Sequence, residues 1–308
     1  MRPAGAVLGV DVGGTGTKAR LTDADGTVLH EARVPTPRGD PDARQLADRV
    51  AELAERCAAV ARIEAVGLVT PGVVDERAGT VVLAVNLGWR DVPVRERVET
   101  ALAARGIHVP VAFGHDVRAG ALAEVSGTHG AGPGALTRGS VAFVPVGTGL
   151  ASALVVDGEV VDGGGWAGEI GQVRIPAGPH AGRRVEEVAS AGGVARRSGA
   201  ASAHEAMLRV RAGDAVARAV WDECVDVLAD ALVWTTAVAG CHSLVIGGGL
   251  AESGPLLFEP LTAAVAERLS GLAVPAVVPA RHGDSAGAIG AGILARRVLE
   301  RQRAGVPA

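Results

Sequence analysis

Residues 7–21 read Val-Leu-Gly-Val-Asp-Val-Gly-Gly-Thr-Gly-Thr-Lys-Ala-Arg-Leu, an apolar run that ends in a polar, glycine-rich corner and resumes as a second short run. A phosphate loop or dinucleotide fingerprint needs a helix directly after its glycine turn. Here residues 18–21 alternate polar and apolar, and Asp23-Ala24-Asp25-Gly26 turns the chain before a helix completes two turns. The stretch is strand, turn, strand. Glycines at such a corner let backbone N–H groups approach an anion with no Cβ in the way. Gly13 and Gly14 supply that freedom, Thr15 a hydroxyl and Lys18 a positive charge, while Asp11 is placed to hold magnesium directly or through water. An ordinary hairpin that needed small residues at its corner is the competing reading of this stretch alone.

The rest of the chain extends the pattern. Residues 27–34 read as a third strand, 41–61 as an amphipathic helix, and 64–69 as another strand ended by Thr70-Pro71-Gly72. Strands at 73–75 and 80–85, a helix at 94–105 and a strand at 110–113 follow, then Gly114-His115-Asp116 and a helix from 119 to 127. The carboxyl end of a strand is where α/β sheets place their ligands, which makes Asp116 a candidate. Three antiparallel strands followed by alternating helix and strand predict a mixed sheet covered by helices.

Residues 140–161 then repeat the opening: an apolar strand to 146, the corner Gly147-Thr148-Gly149, a return strand at 150–156, an Asp157-Gly158 turn and a third strand. The two corners lie about 130 residues apart. This internal repeat predicts two homologous lobes with a ligand cleft between them, both corners gripping one polyphosphate. The expected division is a small lobe of residues 1–114, on which a closing helix at about 285–308 packs, and a larger lobe of residues 115–284. Helices are expected at 185–198, 215–239 and 255–268. A strand at 243–246 leads into Gly247-Gly248-Gly249, which reads either as a nucleotide contact shaped for an adenosine or as a tight strand-to-helix turn.

Composition narrows the function classes. A net charge of −4 and a pI near 6.1 give no basic field for nucleic acid or anionic membrane. No signal peptide or membrane span is visible, and Cys57, Cys224 and Cys241, odd in number and far apart, define neither a disulfide framework nor a thiolate zinc site. A cytoplasmic protein is expected. Lys18 is the only lysine among the 30 basic residues, a bias that a GC-rich genome explains.

Taken together, these motifs resemble the ROK family of bacterial sugar kinases, on the actin-like ATPase (ribonuclease H-like) fold, in order and nearly from end to end. Asp11 to Lys18 is similar to the family's first phosphate motif and Gly147-Thr148-Gly149 to its second. Pro71 to Asp75 with Asn86-Leu87-Gly88-Trp89 is similar to its sugar-side loop, Gly168-Glu169-Ile170-Gly171 to its sugar-binding motif, and Gly247 to Gly249 to its adenosine motif. Asp116 stands at the family's catalytic aspartate. The resemblance implies transfer of the ATP γ-phosphate to a hexose hydroxyl, the 6-hydroxyl of glucose or a close relative. It implies magnesium, sugar contacts from Asn86, His115, Asp116, Glu169 and Glu186, and a homodimer with no nucleic-acid or membrane partner.

Three departures fall on the sugar side. His115 replaces the family's common Asn, and an imidazole offers its donor and acceptor in a different geometry. Gln172 replaces a His that in much of the family ligates a structural zinc and touches the sugar. The family's cysteine loop is absent, its region at 177–185 holding His180 and no Cys. No zinc is therefore expected. Glu186 matches the family's sugar-binding Glu, with Glu187 beside it leaving the register open. Two alternatives stand: a non-catalytic sugar or nucleotide sensor, and a hexose kinase that uses polyphosphate, for which Arg183-Arg184, Arg196-Arg197 and Arg281 are channel candidates.

Overall fold

The computed structural model describes residues 5–126 and 136–305. The chain divides into two compact units: Met1–Ala123 with Asp162–Trp166 and Ser285–Ala308, and Glu124–Val161 with Ala167–Asp284.

In the first unit β1 (Ala6–Val12), β2 (Gly16–Thr22) and β3 (Val28–Pro35) form an antiparallel meander. Next come α1 (Arg44–Ala58), β4 (Ile63–Thr70), β5 (Val73–Asp75), β6 (Thr80–Ala84), β7 (Trp89–Val92), α2 (Val94–Ala103), β8 (Val111–His115) and α3 (Asp116–Val125). The main sheet runs β3-β2-β1-β4-β8 with β1, β4 and β8 parallel, and β5-β6-β7 make a small antiparallel sheet. β1 is buried along its whole length, as a central strand covered on both faces must be. β2, nearer the edge, alternates, burying Thr17, Ala19 and Leu21.

In the second unit β9 (Ser140–Pro145), β10 (Ala153–Val156) and β11 (Glu159–Val160) repeat the meander. A 3-10 turn at Ile170–Gln172 precedes α4 (Val185–Val188), α5 (Ala191–Ser198), α6 (Ala203–Arg211) and α7 (Ala215–Ala239). Then follow β12 (Cys241–Gly247), α8 (Gly248–Ala251), α9 (Pro255–Arg268) and β13 (Ala276–Pro279). The sheet order is β11-β10-β9-β12-β13, with β9, β12 and β13 parallel, so the repeat read in the sequence extends to all five strands. Its core gathers Trp221, Leu228 and Leu232 of α7 against Leu244 and Ile246 of β12.

The closing helix α10 (Ala286–Arg303) packs in the first unit on β1 and β4. The approach is backbone to backbone: a Cβ on Gly67 of β4 would lie 1.8 Å from the Ala291 carbonyl oxygen, and one on Gly9 of β1 2.2 Å from that of Ala288. No side chain larger than hydrogen fits either position.

Several expectations shift in detail. α1 starts at Arg44 rather than residue 41, because the Asp40 carboxylate accepts from the Arg44 and Leu46 N–H groups at 3.0 and 2.9 Å. The helix expected at 119–127 begins at Asp116, directly after β8, and residue 127 lies outside the described residues. The helix expected at 185–198 is two helices broken at Ser190, whose hydroxyl accepts from the Gly193 N–H at 2.9 Å and caps α5. The return strand expected from residue 150 starts at Ala153, with Leu150 making a single bridge to Val146. β7 and α6 were absent from the sequence reading. The three cysteines are free and buried.

Candidate active site

The corner between β1 and β2 closes through the Gly13 N–H, which donates to the Gly16 carbonyl at 3.0 Å. Thr36, just past β3, takes up two corner carbonyls: its Oγ1 donates to Gly13 O at 2.7 Å and its N–H to Thr15 O at 3.2 Å. Carbonyls engaged this way do not confront an anion brought to the corner. Thr15 itself is exposed at the tip. Asp11 and Lys18 face each other across the strands, Nζ 3.5 Å from Oδ2. Asp11 is 8% exposed and sits at the start of α10, where a Cβ on Gly287 would lie 2.6 Å from its carboxyl carbon. The glycine keeps that cradle open. A lone carboxylate beside a lysine fits a magnesium ion held through water, since magnesium takes one or two carboxylates and keeps several waters. Asn86, exposed between β6 and β7, reaches the same corner: a Cβ on Gly14 would lie 3.2 Å from its Nδ2.

At the junction of β8 and α3, Asp116 heads the helix and its Oδ1 accepts from the Val117 N–H at 2.7 Å. Its side chain keeps 28% of its surface, yet burial of the carboxyl pushes its pKa up to about 6, against the downward pull of that N–H, of Arg118 and of Lys18. His115 Nε2 lies 3.4 Å from Asp116 Oδ1. Burial, with Arg118 adding to it, pushes the imidazole down to about 4, so it is neutral at ordinary pH and the contact is no ion pair. Glu76 Oε1 accepts from Arg118 Nε at 2.8 Å and from the His115 N–H at 3.3 Å.

The corner of the second unit closes one residue sooner, with the Gly147 N–H donating to Gly149 O at 3.1 Å. It is held from two sides. The Ala191 N–H at the start of α5 donates to Gly147 O at 2.8 Å, and the Ser190 hydroxyl lies 3.1 Å from Thr148 O. On the other side the Val146 N–H donates to Gly247 O at 2.9 Å, and the Leu250 N–H to Val146 O at 3.1 Å. Gly248, at φ +75°, lies so close to Val146 that a Cβ would stand 2.6 Å from its carbonyl, so the Gly247–Gly249 corner is locked to this one.

Arg184 joins the sugar-side candidates of this unit. Its Nη1 donates to Gln172 Oε1 at 3.0 Å and forms an ion pair with Glu186 Oε1 at 2.8 Å. The other Glu186 oxygen reaches the corner, where a Cβ on Gly149 would lie 3.1 Å from Oε2. Glu187 is spent on its own helix, accepting from the Arg184 N–H at 2.7 Å, so the carboxylate beside the corner is that of Glu186. Glu169, half-buried, precedes the 3-10 turn, its carbonyl accepting from the Gln172 N–H at 3.1 Å. His180 lies 3.2 Å from Glu223, which also pairs with Arg197; these residues tie the 177–185 loop to α5 and α7. Among the described residues no group of three or more His, Cys, Asp or Glu is arranged to hold a metal ion.

Within the first unit the fold thus brings together Asp11, Lys18, Asn86, His115 and Asp116 around one corner and one strand end. In the second it gathers Gly147–Gly149, Gly247–Gly249, Gln172 and Glu186. Sequence reasoning missed Thr36 and Glu76 as members, and offered Arg184 only as a candidate for a polyphosphate channel. A family model described as ROK family matches residues 7–298. The chain belongs to the ROK family. Among ROK relatives it is similar to the glucokinase of Streptomyces coelicolor, 30% identical over 95% of this chain and 98% of that one. Its fold is similar to that of a ROK family glucokinase from Streptomyces griseus in complex with glucose and AMPPNP, at a TM-score of 0.78 and 26% identity, covering 95% and 99% of the two chains. It is also similar to the ROK hexokinase of Thermus thermophilus, at a TM-score of 0.79 and 29% identity, covering 96% and 99%.

Proposed function

We propose that this ROK protein transfers the γ-phosphate of ATP to a hydroxyl of a hexose, the 6-hydroxyl of glucose or of a close relative. The observation that carries the reading is Asp116: a carboxyl at the end of β8, pushed up to about 6, in the same unit as the Asp11–Lys18 pair and its glycine corner. A general base works best when its pKa lies near the working pH, because it is then both ionised and a competent proton acceptor. Phosphoryl transfer passes through a loose transition state, so positioning and charge do most of the work and the base takes the proton as the new O–P bond forms.

The roles follow the chemistry of each group. Asp116 accepts the proton from the attacking hydroxyl. Lys18 and the Gly14 N–H of the glycine corner offset phosphate charge. Asp11 would hold magnesium through water, and the ion when bound neutralises charge on the phosphate oxygens. Gly147 to Gly149 and Gly247 to Gly249 supply backbone for phosphate and adenosine. Asn86, His115, Glu169, Gln172 and Glu186 orient sugar hydroxyls, and polar groups aimed at hydroxyls reject analogues that lack them.

ADP release with magnesium and ATP, measured over hexoses and N-acetylhexosamines, tests the reading. Turnover is expected with glucose or a near relative. Measurable ATP binding with no turnover on any sugar overturns it in favour of a sensor.

A further inference from the structure

Glu76 stands in the turn between β5 and β6, outside every motif that marks the family, and its carboxylate is built into the start of α3. The same oxygen, Oε1, accepts from the Arg118 guanidinium and from the His115 N–H. These partners flank Asp116 in the chain, one residue before it and two after. A Cβ on Gly114 would make only ordinary contact with Glu76 Oε1, at 3.7 Å, but would stand 2.8 Å from Leu294 Cδ1, so the glycine makes room for Leu294 of α10. Arg118 is 4% exposed, and its Nη2 is buried without a partner, as is Nδ1 of His115. A buried guanidinium that loses its carboxylate is left as an uncompensated charge beside the residue it flanks. The small sheet whose β5–β6 turn holds Glu76 also carries Asn86 in its β6–β7 turn.

We propose that Glu76 is a positioning residue for Asp116, fixing the start of α3 through the His115 amide and the Arg118 guanidinium and tying it to the small sheet that carries Asn86. The proposal rests on the reading of Asp116 as the base. The charged and titratable groups around Asp116 are His115 on β8, Arg118 on its own helix, Lys18 on β2 with its partner Asp11 on β1, and Glu76 itself. Arg118 holds the Asp116 carboxyl down, and Glu76 balances Arg118. Removing each charge should therefore move Asp116 in opposite directions.

The test follows the Asp116 carboxyl carbon by NMR against pH, its signal assigned with Asp116→Asn, in the full-length parent, Glu76→Gln and Arg118→Met. The midpoint should fall in Glu76→Gln and rise in Arg118→Met, each by roughly half a pH unit or more. In the same preparations kcat of Glu76→Gln should fall at least about fivefold, with both KM values within about twofold, the signature of a lost transition-state arrangement. The titration is read without substrate, so a parent that phosphorylates no sugar overturns the kinase reading, while the midpoints still decide on their own whether Glu76 holds the Asp116 carboxyl. Unmoved midpoints in folded variants would reduce Glu76 to an ordinary ion pair. Should Glu76→Gln fail to fold, an unmoved midpoint in Arg118→Met alone is enough to overturn the proposal.

Discussion

The two sheets share one strand order and one pairing pattern, yet their corners differ in kind. The first carries a cross-strand ion pair, Asp11 with Lys18, and is tied at its back by a threonine. At the second the strand ends in Pro145-Val146, and the corner is held by the start of α5 and by the Gly247–Gly249 turn. Duplication has kept the backbone frame and let the side chains part. Charge and the base candidate gather in the first unit. The second offers backbone shape, with Arg184 holding Gln172 and Glu186 side by side.

Removing Asp116 would break this division most severely. Asp116→Asn should lower kcat by about 10²–10⁴-fold while sugar affinity stays within a few-fold, as single-turnover kinetics and sugar titration would show. A kcat that barely moves would return the first corner to a binding role. Lys18→Met comes next. Losing one preorganised cation should cost about 10²-fold in kcat/KM for ATP with little change in sugar KM, measured by steady-state kinetics over both substrates.

Arg184→Met tests the other side. With the guanidinium gone, Gln172 and Glu186 lose their common partner, and sugar KM should rise roughly tenfold with ATP KM unchanged. Equal rises in both would mean the second unit does not divide its labour this way. The smallest effect is on stability. The folded Asp116 carboxyl titrates near 6 against an ordinary 3.8, so its contribution is present below about pH 4 and lost as pH rises through 6. The folded His115 titrates near 4 against 6.5, so its contribution is present above about 6.5 and lost as pH falls through 4. The two oppose each other across the same window. Compared with the parent in thermal melts, Asp116→Asn should gain stability as pH rises from 4 to 8. His115→Asn should gain it as pH falls over the same range.

Much of this frame was legible in the sequence because it rests on backbone requirements. A glycine corner followed by a second alternating run, and the same run again about 130 residues later, dictate a hairpin and its duplicate. Asp116 stood out as a candidate because it follows a strand, and its role as the base came only with the family resemblance. The residues that organise the site were not. Thr36, Glu76 and Arg184 are ordinary surface types whose roles depend on hydrogen bonds to distant segments, and no periodicity marks such a bond. α6 had a signal, the capping spacing from Ser202 to Glu205, where the serine hydroxyl accepts from the Glu205 N–H at 3.1 Å. The break at Ser190 had one too, a capping serine before Gly192-Gly193 in what otherwise reads as one continuous helix.

The central claim is that an ionised Asp116, set near pH 6 by its surroundings, takes the proton during phosphoryl transfer. The direct measurement is kcat/KM for the sugar against pH, in the parent and in Asp116→Asn. The account predicts a parent profile that falls tenfold per pH unit below about 6 and a variant profile without that limb. A parent profile flat between pH 5 and 7, or the same limb in both proteins, would contradict it.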